Sequence, residues 1–415
     1  MRIAILGFGK EGKSVLRFLK KSPRYKNEKI VILDKKRDKN YLQDLEKFQM
    51  IIKSPGVPFS LPSIAKARKK GVFFTSATAL FFDHALSTII GITGTKGKGT
   101  VATLLYRMLQ ACGKDAYLAG NIGIPMLDIL PRVKKKSIVV LELSSFQLDH
   151  LLFSPRLAVI LDIFPDHLDA HVSYREYLEA KAGIVERQTK DDVVFFFSDT
   201  TKDTKTIAGR GKGKQIVIRP DAFTLFDKKD LGIPGSHNYR NAVMAASVAL
   251  YLGCAPGVVK KTALAFRGLP FRLQNIGSRN GILFYNDSAA TNPHATAVAI
   301  TSFKNPTVLI AGGRNKGFAY DVLGNAAGKS SLKHVIAVGE NAAELKQAFS
   351  NVVDVTKMPT LEKGVEAAMR YIVKKRKKDE EWVVLFSPGA ASFDMFENYM
   401  ERGEAFNKIV KSLKI

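Results

Sequence analysis

Short apolar runs recur along this chain, and most of them end in a turn rich in glycine, asparagine or serine. Runs that are apolar throughout, rather than alternating, predict strands buried on both faces, as in a parallel sheet. The pattern predicts strands over residues 2–6, 29–33, 50–52 and 71–75, then 89–92, 137–143, 157–162, 191–198 and 215–219, then 282–285, 308–311, 335–338 and 382–386. Between them the apolar positions take the helical period. Helices are expected over residues 13–20, from Lys98 through Val101, Leu104, Leu105 and Met108, and from a Ser173/Glu176 capping box to about residue 188. Residues 200–214 are polar and basic and read as a surface loop. The expected fold class is α/β: three domains, residues 1–88, 89–269 and 270–415, each with a mostly parallel sheet.

The most telling transition is at residues 89–103, IIGITGTKGKGTVAT. A β-branched run meets Gly94-Thr95-Lys96-Gly97-Lys98-Gly99-Thr100, and a helix follows. Glycines let backbone N–H groups converge on an anion, and the helix dipole and Lys98 add positive charge. The middle domain is therefore P-loop ATPase-like. The strict G-x-x-x-x-G-K-[ST] pattern fails at both ends, because Ile92 replaces its first glycine and Gly99 its hydroxyl residue. A plain glycine-rich turn with an exposed lysine is the competing reading. Near the N-terminus, Gly7-Phe8-Gly9-Lys10-Glu11-Gly12 fits G-x-G-x-x-G after a strand, and Asp34 ends the next strand where a dinucleotide fold places its ribose-reading acid. That makes the first domain Rossmann-like, with a nucleotide diphosphate as its expected ligand. The last domain repeats the pattern. Ser54-Pro55-Gly56 is a rigid turn.

Further polar clusters close other predicted strands. Glu142 ends one of them beside the phosphate loop, where a carboxylate suits Mg²⁺; an acid satisfied by neighbouring N–H groups is the alternative. His167 and Lys181 follow, and gain meaning only where folding brings them to the metal of Glu142. Asn238 and Asn241 open an alanine-rich helix, either facing a purine edge or capping it.

Composition narrows the class. The chain has 415 residues, 46% hydrophobic and 25% charged, as expected of a globular protein of about two to four domains. No apolar run approaches ~18 residues, and the N-terminus enters a strand directly, so neither membrane insertion nor export is expected. Cys112 and Cys254 have no metal-like spacing and no disulfide framework. A cytoplasmic enzyme fits. The net charge of +26 invites a nucleic-acid partner, but the lysines are dispersed and aromatic RNA-binding signatures and zinc-finger spacings are missing. No nucleic-acid partner is expected; the charge reads first as solvated lysine-rich faces, and a basic surface would also attract polyanionic small substrates.

Taken together, Gly94 to Lys98, Glu142-Leu143-Ser144-Ser145-Phe146-Gln147-Leu148, Asp166-His167-Leu168-Asp169, Gly235 to Asn241, Asn286-Asp287-Ser288 with Ala290-Thr291-Asn292, Ser387-Pro388 with Ala391-Ser392-Phe393-Asp394, and Arg402 to Phe406 make the chain resemble the Mur ligase family over essentially its full length. Ser-Ser-Phe-Gln-Leu after the glutamate favours the D-glutamate-adding member. The resemblance implies ATP-dependent ligation of D-glutamate to UDP-N-acetylmuramoyl-L-alanine through an acyl phosphate, by a monomer. It implies that Gly94 to Thr100, Asn238, Asn241, Arg272 and Asp287 bind ATP. It gives the UDP-sugar to Gly7, Phe8, Gly9, Gly12, Asp34, Lys35, Ser54, Gly56, Asn121, Ser144 and Gln147. It gives D-glutamate to Thr291, Lys316, Ser387 and Phe393. Two Mg²⁺ sites would use Glu142, His167 and Lys181, the lysine carbamylated by CO₂; Lys98, Glu142, His167 and Lys181 are the implied catalytic set. The chain departs from the family pattern at Gly99, at Phe271 where relatives often carry His, and at Ala289 where many carry Lys. Another Mur ligase, a folylpolyglutamate-synthetase-like enzyme and, more remotely, a nucleic-acid-binding ATPase are the other readings.

Overall fold

A computed structural model describes residues 1–166 and 171–413. The chain divides into two units, Met1–Leu225 with Asn241–Ala263, and Phe226–Arg240 with Leu264–Ile415.

The first unit contains two parallel sheets. The N-terminal one is built from β1 (Arg2–Leu6), α1 (Lys10–Lys21), β2 (Lys29–Leu33), β3 (Met50–Lys53), α2 (Pro62–Lys69), β4 (Phe73–Thr75) and α3 (Ala77–His84), in strand order β2-β1-β3-β4. Helix α1 starts three residues earlier than the apolar spacing predicts, because its first turn lies inside the glycine motif.

The second sheet is built from β5 (Thr88–Thr93), α4 (Lys98–Ala111), β6 (Ala116–Gly120), α5 (Met126–Ile129), β7 (Ile138–Glu142), α6 (Ser145–Leu148), β8 (Leu157–Ile160), α7 (Tyr174–Ala182), β9 (Val193–Phe197), α8 (Lys202–Ala208) and β10 (Lys214–Ile218). Its order is β10-β9-β8-β5-β7-β6, parallel throughout. The chain continues through α9 (Ser236–Tyr251) and α10 (Pro256–Ala265). One apolar core runs through both sheets and includes Ile5, Phe81, Leu127, Leu141, Ile160 and Phe196. The loop expected over residues 200–214 is a correction: α8 lies within it. Thr201 caps that helix by accepting from the Thr204 N–H, and the buried Thr204 hydroxyl accepts from the Ile163 N–H at 3.1 Å. Two hydroxyls fixing backbone donors outweigh the polar composition. Cys112 and Cys254 are free thiols; burial, with Cys112 beside it, pushes Cys254 up to about 12.

The second unit holds β11 (Gln274–Arg279), β12 (Ile282–Asn286), α11 (Pro293–Ile300), β13 (Thr307–Ala311), α12 (Asp321–Ala327), β14 (Leu332–Val338), α13 (Ala342–Phe349), β15 (Val355–Met358), α14 (Leu361–Lys375), β16 (Trp382–Phe386) and α15 (Tyr399–Ser412). The order is β11-β12-β16-β13-β14-β15, with β11 alone antiparallel. The β11–β12 hairpin turns on Asn280-Gly281, both at positive φ (46° and 71°), the requirement of a type I′ turn. Separate apolar cores cover the two faces of this sheet. Among the described residues no helix is long and apolar enough to cross a membrane. The mostly parallel α/β architecture with three sheets agrees with the sequence pattern, and the polar clusters lie at the carboxyl ends of strands, where open α/β sheets bind ligands.

Candidate functional site

In the first unit the polar residues gather at the end of β5. Gly94 has φ +147°, and a Cβ there would stand 2.6 Å from the Leu161 Cβ. Gly97, at φ +84°, leaves room for Asn241, whose Oδ1 lies 2.4 Å from where a Cβ would be. A side chain at either position would push the loop off its neighbours. The loop is also tied down by Thr95, which is buried. Its N–H donates to the Asp162 carbonyl (2.9 Å), and its hydroxyl meets Tyr177 Oη (3.0 Å) and the backbone of Phe164. The N-cap of α4 is Gly97, which brings no side chain of its own to the start of the helix, where the helix dipole favours an anion. Lys98 Nζ donates to the carbonyls of Gly94 (3.1 Å) and Thr95 (3.0 Å). Lys96 extends into solvent and lies 3.6 Å from Asp166. Gly99 and Thr100 form the next half-buried positions of the helix.

Lys181 comes to this loop from α7. It is 1% exposed, and its Nζ donates to the Gly94 carbonyl at 2.9 Å and to Thr93 Oγ1 at 3.3 Å, above the Tyr177 ring. Burial first, then the charge of Lys98, holds its amine well below the usual lysine range. Glu142, also buried, pairs in register with Ile92 of β5, and its Oε1 accepts from Asn121 Nδ2 at 3.2 Å. The fold therefore assembles Lys98, Lys181 and Glu142 around the ends of β5 and β7. His167 lies outside the described residues. Among those described, no group of three or more His, Cys, Asp or Glu side chains is gathered as a metal cage. The sequence reading passed over His171. It is buried, stacks on Phe146 (4.7 Å between ring centres), and meets Ser145 Oγ at 2.9 Å. Phe146 within the Ser-Ser-Phe-Gln motif was the only available signal.

At the N-terminal sheet, Gly7 (φ +90°) begins the turn, and the Gly7 carbonyl lies 2.2 Å from where a Gly12 Cβ would stand, so the turn tolerates no side chain there. Asp34 accepts from the N–H groups of Phe8 (2.6 Å) and Lys36 (2.8 Å); the Phe8 bond in particular holds its carboxyl below the usual range. Ser54 Oγ donates to the Gly7 carbonyl at 2.8 Å. Gly7, Phe8, Asp34 and Ser54 thus form one braced turn, with Gly9, Lys35 and Gly56 exposed on it. Ser144 and Gln147 close a capping box around α6.

In the second unit Asp287 accepts from Ser387 Oγ (2.7 Å) and from the Leu273 N–H (3.0 Å). Burial pushes its carboxyl up to about 7 despite those bonds and the charge of Arg272. Thr296 Oγ1 lies 3.0 Å from Ser387 Oγ. Lys316 Nζ sits 5.1 Å from the Phe393 ring centre, on loops joined by reciprocal Arg314–Ala391 backbone bonds. Thr291 is half-buried after β12. Asn238 donates from Nδ2 to the Pro234 carbonyl at 2.7 Å. Phe271, at φ +63°, packs where a Gly403 Cβ would come 2.3 Å from its ring, so Gly403 is what admits Phe271.

A nucleotide-type loop with two converging lysines, on a three-sheet α/β chain, defines a class. Family models match residues 92–249 as Mur ligase middle domain and residues 271–389 as Mur ligase, glutamate ligase domain. The chain belongs to the Mur ligase family. Within it, the chain is similar to enzymes named UDP-N-acetylmuramoylalanine–D-glutamate ligase. It is 34% identical to that of Aquifex aeolicus over 421 residues (99% of each chain) and 34% identical to that of Acetivibrio thermocellus over 407 residues (90% of this chain, 85% of the relative). Solved structures share the fold at lower identity. UDP-N-acetylmuramate–alanine ligase MurC of Thermotoga maritima matches with TM-score 0.60 at 18% identity over 99% of both chains. MurF ligase of the same organism, in complex with ADP, matches with TM-score 0.59 at 16% identity over 99% of this chain and 95% of its own.

Proposed function

We propose that this chain uses ATP to join D-glutamate to UDP-N-acetylmuramoyl-L-alanine, a step of peptidoglycan precursor synthesis. The observation that carries the reading is the convergence of Lys98 and Lys181 on the Gly94 carbonyl, within a phosphate-type loop. The γ-phosphoryl group passes to an oxygen of the alanyl carboxylate and ADP leaves. The D-glutamate amine attacks the acyl carbon, inorganic phosphate departs from the tetrahedral adduct, and the amine loses its proton as the amide forms. Positive charge and positioning dominate phosphoryl transfer, which gives Lys98 and the N–H groups of residues 94–100 their role on the β- and γ-phosphates.

The remaining assignments follow the same reading. Asn238 and Asn241 hold adenine, and Arg272 and Asp287 hold phosphate and ribose. The Gly7–Gly12 turn with Asp34, Lys35, Ser54 and Gly56 holds the uridine diphosphate. Asn121, Ser144 and Gln147 face the muramoyl-alanine end. Thr291, Ser387 and Phe393 hold D-glutamate, with Lys316 pairing one carboxylate.

Glu142, His167 and Lys181 would hold Mg²⁺. The first fits as it stands, a buried carboxylate ending β7. Lys181 would fit as a carbamate, because burial lowers the proton affinity of its amine and so favours the neutral form that adds CO₂. The metal supplies charge neutralisation on the transferring phosphoryl group. Nucleotide substrates made in the cytoplasm give the enzyme that location, as a monomer independent of nucleic acid and membrane.

The test is phosphate release from ATP with UDP-N-acetylmuramoyl-L-alanine and a panel of amino acids. Release requiring D-glutamate is expected. A response to L-lysine or meso-diaminopimelate instead overturns the specificity, and stimulation by DNA or RNA alone overturns the class.

A further inference from the structure

Helix α1, which follows the Gly7–Gly12 turn, is fastened within the first unit at two points. At the solvent-facing point, Asp128 of α5 accepts from Ser14 Oγ (2.8 Å) and from Arg17 through Nε (3.2 Å) and Nη2 (2.5 Å). The other point is enclosed. Gln147 of α6 is 3% exposed and donates from Nε2 to Glu11 Oε1 at 2.6 Å. Its Oε1 accepts from the Ser144 N–H (3.1 Å) and Ser144 Oγ (3.3 Å).

A primary amide has one acceptor end and one donor end. With Ser144 engaging the oxygen, a carboxylate on the other side fixes which way round the amide sits. Glu11 is held there at a cost. Its Oε2 is buried without a partner among the described residues, and burial raises its carboxyl above the usual range. Lys53, the nearby cation, spends its own donors on the carbonyls of Ser54 (3.3 Å) and Val57 (2.7 Å). A group kept at such a cost, on one nucleotide-type turn and reaching another substrate-facing turn, acts between them.

We propose that Glu11 is a positioning residue for Gln147, coupling the Gly7–Gly12 turn to the Ser144–Leu148 turn so that the nucleotide end and the muramoyl-alanine end of one substrate are recognised together. This rests on the ligase reading above. Glu11→Gln keeps an oxygen able to accept from Gln147, and Glu11→Ala does not.

In steady-state ligation, Glu11→Ala is expected to raise KM for UDP-N-acetylmuramoyl-L-alanine about tenfold or more, the range of a lost charge-assisted hydrogen bond. KM for ATP and for D-glutamate should stay within about twofold, and Glu11→Gln should recover most of the loss. Asp128→Ala, which removes the acceptors of the other fastening, should lower Tm and leave all three KM values within about twofold. A Glu11→Ala enzyme with unchanged KM for the sugar nucleotide, or with all three KM values shifted alongside Tm, overturns the proposal.

A second readout does not need ligation. UDP alone should increase hydrogen-exchange protection of residues 144–148 in the wild type and not in Glu11→Ala. No such protection in the wild type overturns the coupling even where ligation is intact. Protection by UDP in a wild type that fails to ligate overturns the ligase reading instead.

Discussion

Lys181 Nζ and Lys98 Nζ donate to one and the same atom, the Gly94 carbonyl oxygen, at 2.9 and 3.1 Å. Burial first, and then the charge of Lys98 on the shared acceptor, hold the Lys181 amine well below the usual lysine range. Lys181→Ala is therefore expected to lose ligation by roughly 10²-fold or more, the scale of removing one preorganised electrostatic group. Formate or acetate should restore part of it by standing in for the carbamate. The comparison is phosphate release with and without the added carboxylate; full activity of the variant without additive would refute the role.

Burial raises the Asp287 carboxyl to about 7 in the folded chain, against an ordinary 3.8. A raised carboxyl pKa means that its stability contribution is complete below about pH 4 and is lost as pH rises through about 7. Asp287→Asn preserves the geometry, since its oxygen can accept from the Leu273 N–H and its NH₂ can donate to Ser387 Oγ. Urea unfolding between pH 5 and 9 should show the wild type losing up to about 3 kcal/mol relative to the variant, most of it below about pH 7. Parallel pH profiles for the two proteins would remove burial of this charge as the cause.

Gly99 occupies the position where a serine or threonine hydroxyl commonly supports the metal. Gly99→Ser should lower the Mg²⁺ concentration for half-maximal ligation several-fold, read from a metal titration at saturating ATP. An unchanged midpoint would assign that task to Thr100 or to water.

Arg402 is buried under the Asn286–Ser288 turn, donating from Nε to Ser288 Oγ (3.1 Å) and from Nη2 to the carbonyls of Ser288 and Ala390 (both 3.0 Å). Burial depresses its guanidinium to about 10. Arg402→Ala leaves these carbonyls unmatched and opens a void, so denaturant unfolding should show a loss of about 3 kcal/mol or more. A loss below about 1 kcal/mol would mean that water takes over these bonds.

What was legible in the sequence was local. The phosphate loop, the G-x-G-x-x-G turn and the apolar strands were readable because strand, glycine and helix signals follow one another within a few residues. Lys181 could be read only through resemblance, since a helical lysine alone predicts a solvated side chain. The hidden features pair distant residues. Glu11 meets Gln147 across 136 positions, and Arg402 meets Ser288 across 114. Strand β11 is polar and bulged at Asn275–Gly277, so it lacks the apolar signature of its neighbours. Helix α8 escaped because its signal is a pair of hydroxyls, not an apolar stripe.

The double fastening of α1 constrains how this enzyme can be re-engineered. A chimera that replaced residues 1–88 with a foreign nucleotide-binding head would strand Asp128 and Gln147 unless the newcomer supplied a carboxylate, a hydroxyl and a guanidinium at the positions of Glu11, Ser14 and Arg17. Interchange of heads in this scaffold is thus a matter of transplanting three side chains along with the fold.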